Sequence, residues 1–301
     1  MKPMQLYAMP GNEAMCMALA SCLEAQTAGL AVHRFPDGES RVTLEKPASG
    51  APVAIVASLH DPDAKVLPLL FAADTLRELG ASRIGLIAPY LAYMRQDTRF
   101  HPGESISSRP FAAVLSRHFD WLVTVDPHLH RYRSLDAIYT LRSGVTHAAP
   151  ALAEWIATHV ERPVLLGPDE ESRQWVDDVA ARIGAPSAVL AKQRHGDRDV
   201  TIRLPTLSAW KSHTPVLLDD IIASGGTLAM ASRCLRDAGM PAPYCVAVHG
   251  LFAAGAIELL RDAGVAEIKA TNTVPSPCGG IDVAALLART IETMHDSVAL
   301  A

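Results

Sequence analysis

The chain of 301 residues has no apolar run long enough to cross a membrane, and its first residues lack the basic, apolar and small-residue succession of a signal peptide. Those two absences make the cytoplasm the expected compartment. Its five cysteines, Cys16, Cys22, Cys234, Cys245 and Cys278, contain no CxxC pair and no metal-ligand spacing. An odd number without a framework reads as buried thiols of a reduced protein. Positive charge is scarce: 27 Lys and Arg against 32 Asp and Glu leave a net charge of −5. That balance excludes a general nucleic-acid binder, which needs a basic surface. It does not exclude a small anionic substrate, for which one local positive pocket suffices. There is no low-complexity linker either. What remains is 49% hydrophobic and 20% charged, the composition of a cored globular protein of about two domains.

What is present is an alternation. Short apolar runs (Gln5–Met9, Pro52–Ser58, Arg83–Ala88, Trp121–Val125, Pro163–Leu166, Ser187–Ala191, Pro215–Leu218, Pro243–Val248, Glu267–Thr271) alternate with helical segments (Val66–Leu79, Pro110–His118, Pro150–His159, Arg173–Ile183, Thr227–Ala238, Gly255–Ala263). Several runs are rich in Val, Ile and Leu without polar alternation, as strands covered on both faces are. Gly80, Gly184, Gly239 and Gly264 follow four of the helices, where a left-handed cap is favoured. The pattern predicts α/β architecture with mainly parallel sheets flanked by helices. A complete βα series ends near Ser143–Pro150 and another follows, so two similar domains, 1–145 and 146–301, are expected.

The clearest chemical signal is Val216-Leu217-Leu218-Asp219-Asp220-Ile221-Ile222-Ala223-Ser224-Gly225-Gly226-Thr227. An apolar strand ends in two acids, and a small loop then opens a helix. Adjacent glycines let the backbone turn tightly and point amides inward, and the helix start adds unpaired N–H groups with partial positive charge. That suits a phosphate monoester, with the two carboxylates accepting from neighbouring sugar hydroxyls. A strand–turn–helix with a solvated acidic pair is the bland alternative, and strand, acids, Gly-Gly-Thr and helix together weigh against it. This stretch resembles the ribose-5-phosphate loop shared by phosphoribosyltransferases and ribose-phosphate diphosphokinases.

Other segments separate those families. Phe35-Pro36-Asp37-Gly38-Glu39 joins an aromatic to two acids across a turn; it suits a nucleobase with an exocyclic amine, or is an ordinary surface turn. Arg95, Gln96 and Arg99 emerge beyond the Arg83–Ala88 strand, where open sheets bind ligands, and arginine suits polyphosphate or a purine face. Asp126-Pro127-His128-Leu129-His130 follows Trp121–Val125, and its His128 either coordinates a nucleotide-bound metal or ties down a loop. In this order, and with Val248-His249-Gly250-Leu251-Phe252 and Thr271-Asn272-Thr273-Val274-Pro275, the segments resemble the ribose-phosphate diphosphokinase family through almost the whole chain. The Phe100–Ser108 run is similar to its archaeal-type branch.

The resemblance implies two phosphoribosyltransferase-like domains, the first binding ATP and the second ribose 5-phosphate, with Mg2+ as cofactor. It assigns Phe35, Asp37 and Glu39 to adenine, in a loop that reaches a neighbouring subunit, which implies a homo-oligomer. Arg95, Gln96 and Arg99 go to ATP, and His128 and Asp169 to the metal. Asp219 and Asp220 go to ribose hydroxyls, and Ala223, Ser224, Gly225, Gly226 and Thr227 to the 5-phosphate. Lys192 and Arg194 match the catalytic loop. The chain departs from the family where Glu171-Ser172 replaces a Gly-Gly pair, leaving Glu170 and Glu171 beside a site for anions. It departs again where Phe100 and Gly103 stand for an acid and an arginine of the common branch. A phosphoribosyltransferase, or a non-catalytic regulatory member, are the competing expectations.

Overall fold

The computed structural model describes residues 3–194, 200–203 and 208–299. The first half of the chain runs β1 (Gln5–Ala8), α1 (Glu13–Leu23), β2 (Gln26–Ala28), β3 (Leu30–Arg34), β4 (Ser40–Leu44), β5 (Pro52–Val56), α2 (Asp63–Glu78), β6 (Arg83–Ala88), α3 (Ser108–His118), β7 (Trp121–Val125), β8 (Arg142–Thr146) and α4 (Ala149–His159). The second runs β9 (Pro163–Gly167), α5 (Arg173–Ile183), β10 (Ser187–Val189), β11 (Ala191–Arg194), β12 (Val200–Arg203), β13 (Thr214–Ile222), α6 (Gly226–Asp237), β14 (Tyr244–Gly250), α7 (Ala256–Asp262), β15 (Glu267–Thr271), β16 (Gly279–Ile281) and α8 (Ala284–Ala299).

The halves repeat each other strand for strand. One six-stranded parallel sheet has the order β2-β1-β5-β6-β7-β8, the other β10-β9-β13-β14-β15-β16. Each half also carries an antiparallel ribbon, β3–β4 or β11–β12, inserted before the strand at which the order reverses. The central strands are buried on both faces: Val53, Ala54, Ile55 and Val56 in β5 are wholly inaccessible. This is why their sequences lack alternation. The mainly parallel α/β architecture expected from the sequence is present, and Gly80, Gly184, Gly239 and Gly264 all have left-handed backbones.

Strand packing also explains Gly85 in β6. It pairs directly with Trp121 of β7, and a Cβ there would lie 2.0 Å from the Trp121 ring. Gly85→Ala is therefore expected to destabilise the protein by about 1–3 kcal/mol, the usual cost of overpacking a core. A fall in the urea midpoint at constant slope would show it, and an unchanged midpoint would mean that the indole swings aside.

The structure corrects four sequence expectations. The strand carrying Asp219 and Asp220 does not stop at them, because β13 continues to Ile222 on its pairing with β14 alone. Short or weakly patterned elements (α1, β2, the β3–β4 ribbon, β8, β12, β16 and α8) went unpredicted. All five cysteines are free, but Cys22 is exposed and Cys234 half-buried. Finally, the compact units are residues 1–147 with 284–301, and residues 148–283. The last helix, assigned by sequence to the second domain, belongs to the first unit, where α8 packs on α1 and β8. Helix α4 packs on α5 and β16 of the second unit, in the domain to which the 146–301 boundary assigns it. No helix among the described residues is long and apolar enough to cross a membrane.

Candidate active site

In the second unit the chain leaves β9 towards β10 on one side and β13 towards β14 on the other. The crevice at the carboxyl ends of β9 and β13 is therefore a topological switch point, the preferred ligand position of an open α/β sheet. Asp169 follows β9 there, and Asp219 to Thr227 line the end of β13. Pairing with β9 stops at Leu217, so Asp219 and Asp220 lie on a strand end that is open on that side. The Asp220 amide donates to Asp219 Oδ1 at 2.9 Å. Burial, then the neighbouring Asp220 and Asp169 carboxylates, push the Asp219 carboxyl well above the usual range. Asp169, Asp219 and Asp220 thus bring three carboxylates, all oxygen donors, to one crevice.

The loop after them turns tightly into a helix. Gly225 has φ +74°, and a Cβ there would meet Leu260 Cγ at 3.2 Å in a conformation that side chains avoid. Helix α6 starts at Gly226, so its first amides have no acceptor within the helix. The loop is held from behind by residues 250–253. Leu251 and Phe252 amides donate to Ile222 O at 3.0 and 3.1 Å, and the Ala253 amide to Ala223 O at 3.0 Å. This gives the His249-Gly250-Leu251-Phe252 motif a bracing role. His249 is buried against Thr273 (2.9 Å), and Gly250 leaves room for the Phe252 ring, which a Cβ would meet at 2.3 Å.

The Glu171-Ser172 departure has a local explanation. Ser172 Oγ donates to Asp169 O at 2.6 Å, and its amide to Asp169 Oδ1 at 3.3 Å, closing a tight turn around the acid. The same hydroxyl fills the space over Gly167, 2.2 Å from where a Cβ would stand. Glu170 turns to Arg173, with Oε1 2.5 Å from Nε, and this pairing lowers its pKa. Its charge is thereby balanced on the surface. The backbones of Lys192 and Arg194 lie in β11, opposite Ile202 and Val200. Their side chains, with that of Glu171, lie outside the described residues.

In the first unit, Arg95, Gln96 and Arg99 follow β6, and His128 follows the adjacent β7. Arg95 is exposed. Arg99 Nε donates to Glu104 O at 2.9 Å, and the Glu104 carboxylate accepts from the Phe100 and His101 amides at 2.9 and 3.1 Å, which closes the loop. The His128 ring lies against that of His130, tilted by 39°, with ring centroids 3.8 Å apart. Non-glycine residues with left-handed backbones mark three successive strand ends: Asp61 after β5, Tyr93 after β6 and Asp126 after β7. Such strain concentrates at functional edges. Phe35, Asp37 and Glu39 form the exposed turn of the β3–β4 ribbon, closed by the Phe35 amide donating to Glu39 O at 2.8 Å. The Phe35 ring meets His33 edge-on at 4.7 Å and lies 5.8 Å from the Arg41 guanidinium.

Sequence reasoning did not find the contents of the first unit's own switch point, between β1 and β5. Asn12 bridges it, its Oδ1 accepting from the Ser58 amide at 2.7 Å and its Nδ2 donating to Met9 O at 3.1 Å. Beside it Lys65 Nζ lies 3.0 Å from His60 Nε2 and donates to Ser58 O at 3.2 Å. Burial and the Lys65 charge lower the His60 pKa, so a neutral imidazole accepts this bond. The side chains here bond to one another, whereas the corresponding crevice of the second unit gathers like charges.

Two parallel sheets with helices around them, repeated along one chain, and a Gly-Gly loop that opens a helix at the second switch point define a two-domain α/β protein of phosphoribosyltransferase-like class. Residues 4–118 match the N-terminal domain of ribose phosphate pyrophosphokinase, and residues 134–280 the phosphoribosyl transferase domain. Ribose-phosphate pyrophosphokinase of Methanopyrus kandleri is 36% identical over 279 residues, covering 92% of this chain and 94% of its own. That of Sulfurisphaera tokodaii is 33% identical, covering 85% and 89%. The crystal structure of phosphoribosylpyrophosphate synthetase from Mycobacterium smegmatis superposes with a TM-score of 0.85 at 26% identity, covering 98% of this chain and 100% of that one. The chain belongs to the ribose-phosphate pyrophosphokinase family.

Proposed function

We propose that the protein transfers the β,γ-diphosphoryl group of ATP to the C1 hydroxyl of ribose 5-phosphate, giving 5-phosphoribosyl 1-diphosphate and AMP. The C1 oxygen attacks the β-phosphorus, the bond from that phosphorus to the α,β-bridging oxygen breaks, AMP departs with the electron pair, and the hydroxyl proton goes to solvent. The observation that carries this reading is the second unit's crevice, where Asp169, Asp219 and Asp220 converge beside a braced Gly225-Gly226 loop. Asp219 and Asp220 hold ribose hydroxyls, and Ala223 to Thr227 take the 5-phosphate. Arg95, Gln96 and Arg99 bind ATP, and Phe35, Asp37 and Glu39 receive adenine from a neighbouring copy in a homo-oligomer. Phosphoryl transfer of this kind is mostly positioning and charge neutralisation, to which Lys192 and Arg194 contribute.

The donor set fits Mg2+, which takes oxygen ligands: Asp220 and Asp169 lie close enough to Asp219 to add to the effect of burial on its carboxyl, so three carboxylates share the crevice. Asp169 of the second unit and His128 of the first are the residues that would hold the ion. When bound, magnesium neutralises polyphosphate charge. A coupled assay for AMP release tests the whole reading. Turnover requiring both ribose 5-phosphate and Mg2+ is expected. Release of diphosphate from phosphoribosyl diphosphate and a base, without AMP formation, would replace it by a phosphoribosyltransferase, and silence in both assays by a non-catalytic family member.

A further inference from the structure

Asp97 is 5% exposed, yet it is an acid in a loop. Its Oδ1 accepts from Arg131 Nη1 at 2.7 Å, and its buried Oδ2 has no hydrogen-bond partner among the described residues. The Arg131 side chain is 52% exposed, and its guanidinium lies 5.5 Å from the centroid of the Phe100 ring, itself 55% exposed. Tyr132, next to Arg131, reaches the same loop, its hydroxyl donating to Asp97 O at 3.4 Å and lying 3.2 Å from Ser108 Oγ.

This is a poor stability device. Burying a carboxylate with one oxygen unpartnered carries a desolvation cost that a single half-exposed cation does not recover. It is a good positioning device. A planar cation is fixed at one edge by a rigid acid and supported on one face by an aromatic ring, while half its surface stays open to solvent. Between Asp97 and Ser108 the only Lys or Arg is Arg99, whose Nε is already committed to Glu104 O. A loop that follows Arg95 and Gln96 and faces nucleotide is thus short of cations, and the guanidinium pinned to it comes from the neighbouring strand end.

We infer that Arg131 is a further nucleotide-contacting residue, a cation brought to the polyphosphate from the loop after β7 and set in place by buried Asp97 and the Phe100 ring. Arg131 touches the ligand; Asp97 acts through it and is a positioning residue. The inference rests on the ATP site proposed above. Its test is therefore read in binding as well as turnover, using a non-hydrolysable ATP analogue in calorimetry with the full-length protein.

Arg131→Ala is expected to weaken analogue binding and raise the KM for ATP by about tenfold or more, the loss of a charge-assisted contact, with the KM for ribose 5-phosphate within about twofold of wild type. Arg131→Lys should recover only part, because an ammonium cannot lie flat and bind bidentately. Asp97→Asn should reproduce the Arg131→Ala signature, and the double variant should be no worse than Arg131→Ala alone. Wild-type analogue affinity in Arg131→Ala overturns the inference, as does an Asp97→Asn defect that adds in full to that of Arg131→Ala. Should Asp97→Asn fail to fold, the two substitutions at exposed Arg131 still decide. A wild type that binds the analogue but releases no AMP removes the enzymatic reading and leaves the inference to the binding data. No analogue binding by the wild type removes both.

Discussion

Lys192→Ala is expected to lower kcat by about 10²–10³, or roughly 2.7–4 kcal/mol of barrier, the size of loss seen when one preorganised donor to developing charge is removed. Affinity for both substrates should change far less, because the contribution is made in the transition state. Lys192 and Arg194 are two residues apart in β11. The ribbon that carries them is inserted before β13, the strand that leads into the Gly225-Gly226 loop. Arg194→Ala should therefore have an effect of the same order, and the double variant should fall short of the product of the two if both cations serve one diphosphoryl group. Steady-state kinetics with magnesium in excess measures this. Undiminished turnover in Lys192→Ala would remove that residue from the chemistry.

Asp219→Asn should separate activity from stability. Its carboxyl is pushed up by burial and by Asp220 and Asp169, so the native state holds the proton more readily than the unfolded chain does. The sign follows from linkage: stability falls as pH rises from the ordinary carboxylate value of about 3.9 through the raised native one, and above that the full penalty is present. Asparagine keeps an oxygen for the Asp220 amide and removes the charge. The variant is expected to melt higher than wild type at pH 7–8, by about 1.4 kcal/mol for each unit of elevation removed, and the gap should close below about pH 4. At the same time its KM for ribose 5-phosphate should rise by about tenfold or more, from loss of a charged acceptor. Melting curves across that pH range and initial rates at pH 8 check both halves. A variant that melts lower than wild type at pH 8 would show that the three acids are not a source of strain. The cost of crowding carboxylates is what a functional site retains at the expense of stability.

The elements legible in the sequence were those with strong local signals. β5, β6 and β7 read as unbroken apolar runs because both of their faces are covered, and α5 was placed residue for residue at Arg173–Ile183. The ribbon β3–β4 was hidden because Leu30–Leu44 is mostly exposed, and its alternation of half-buried and exposed residues runs through only five residues in each strand. The continuation of β13 through Asp219 and Asp220 was hidden because acids are rare in strands, and only the ladder to β14 holds them there. Arg131 was passed over for a similar reason. It stands beside the prominent Asp126–His130 motif, but its link to Asp97 spans 34 positions and has no local signature.

By itself the sequence determined the α/β class, the Gly225-Gly226 turn and the identity of the acids before it, since apolar periodicity and left-handed turns are properties of neighbouring residues. The return of α8 to the first unit, the convergence of Asp169 on Asp219, and the seating of Arg131 on Asp97 and Phe100 were decided only in three dimensions. In each case the partner is far along the chain, and nothing in a local pattern records which distant surface will bury a helix or share a charge.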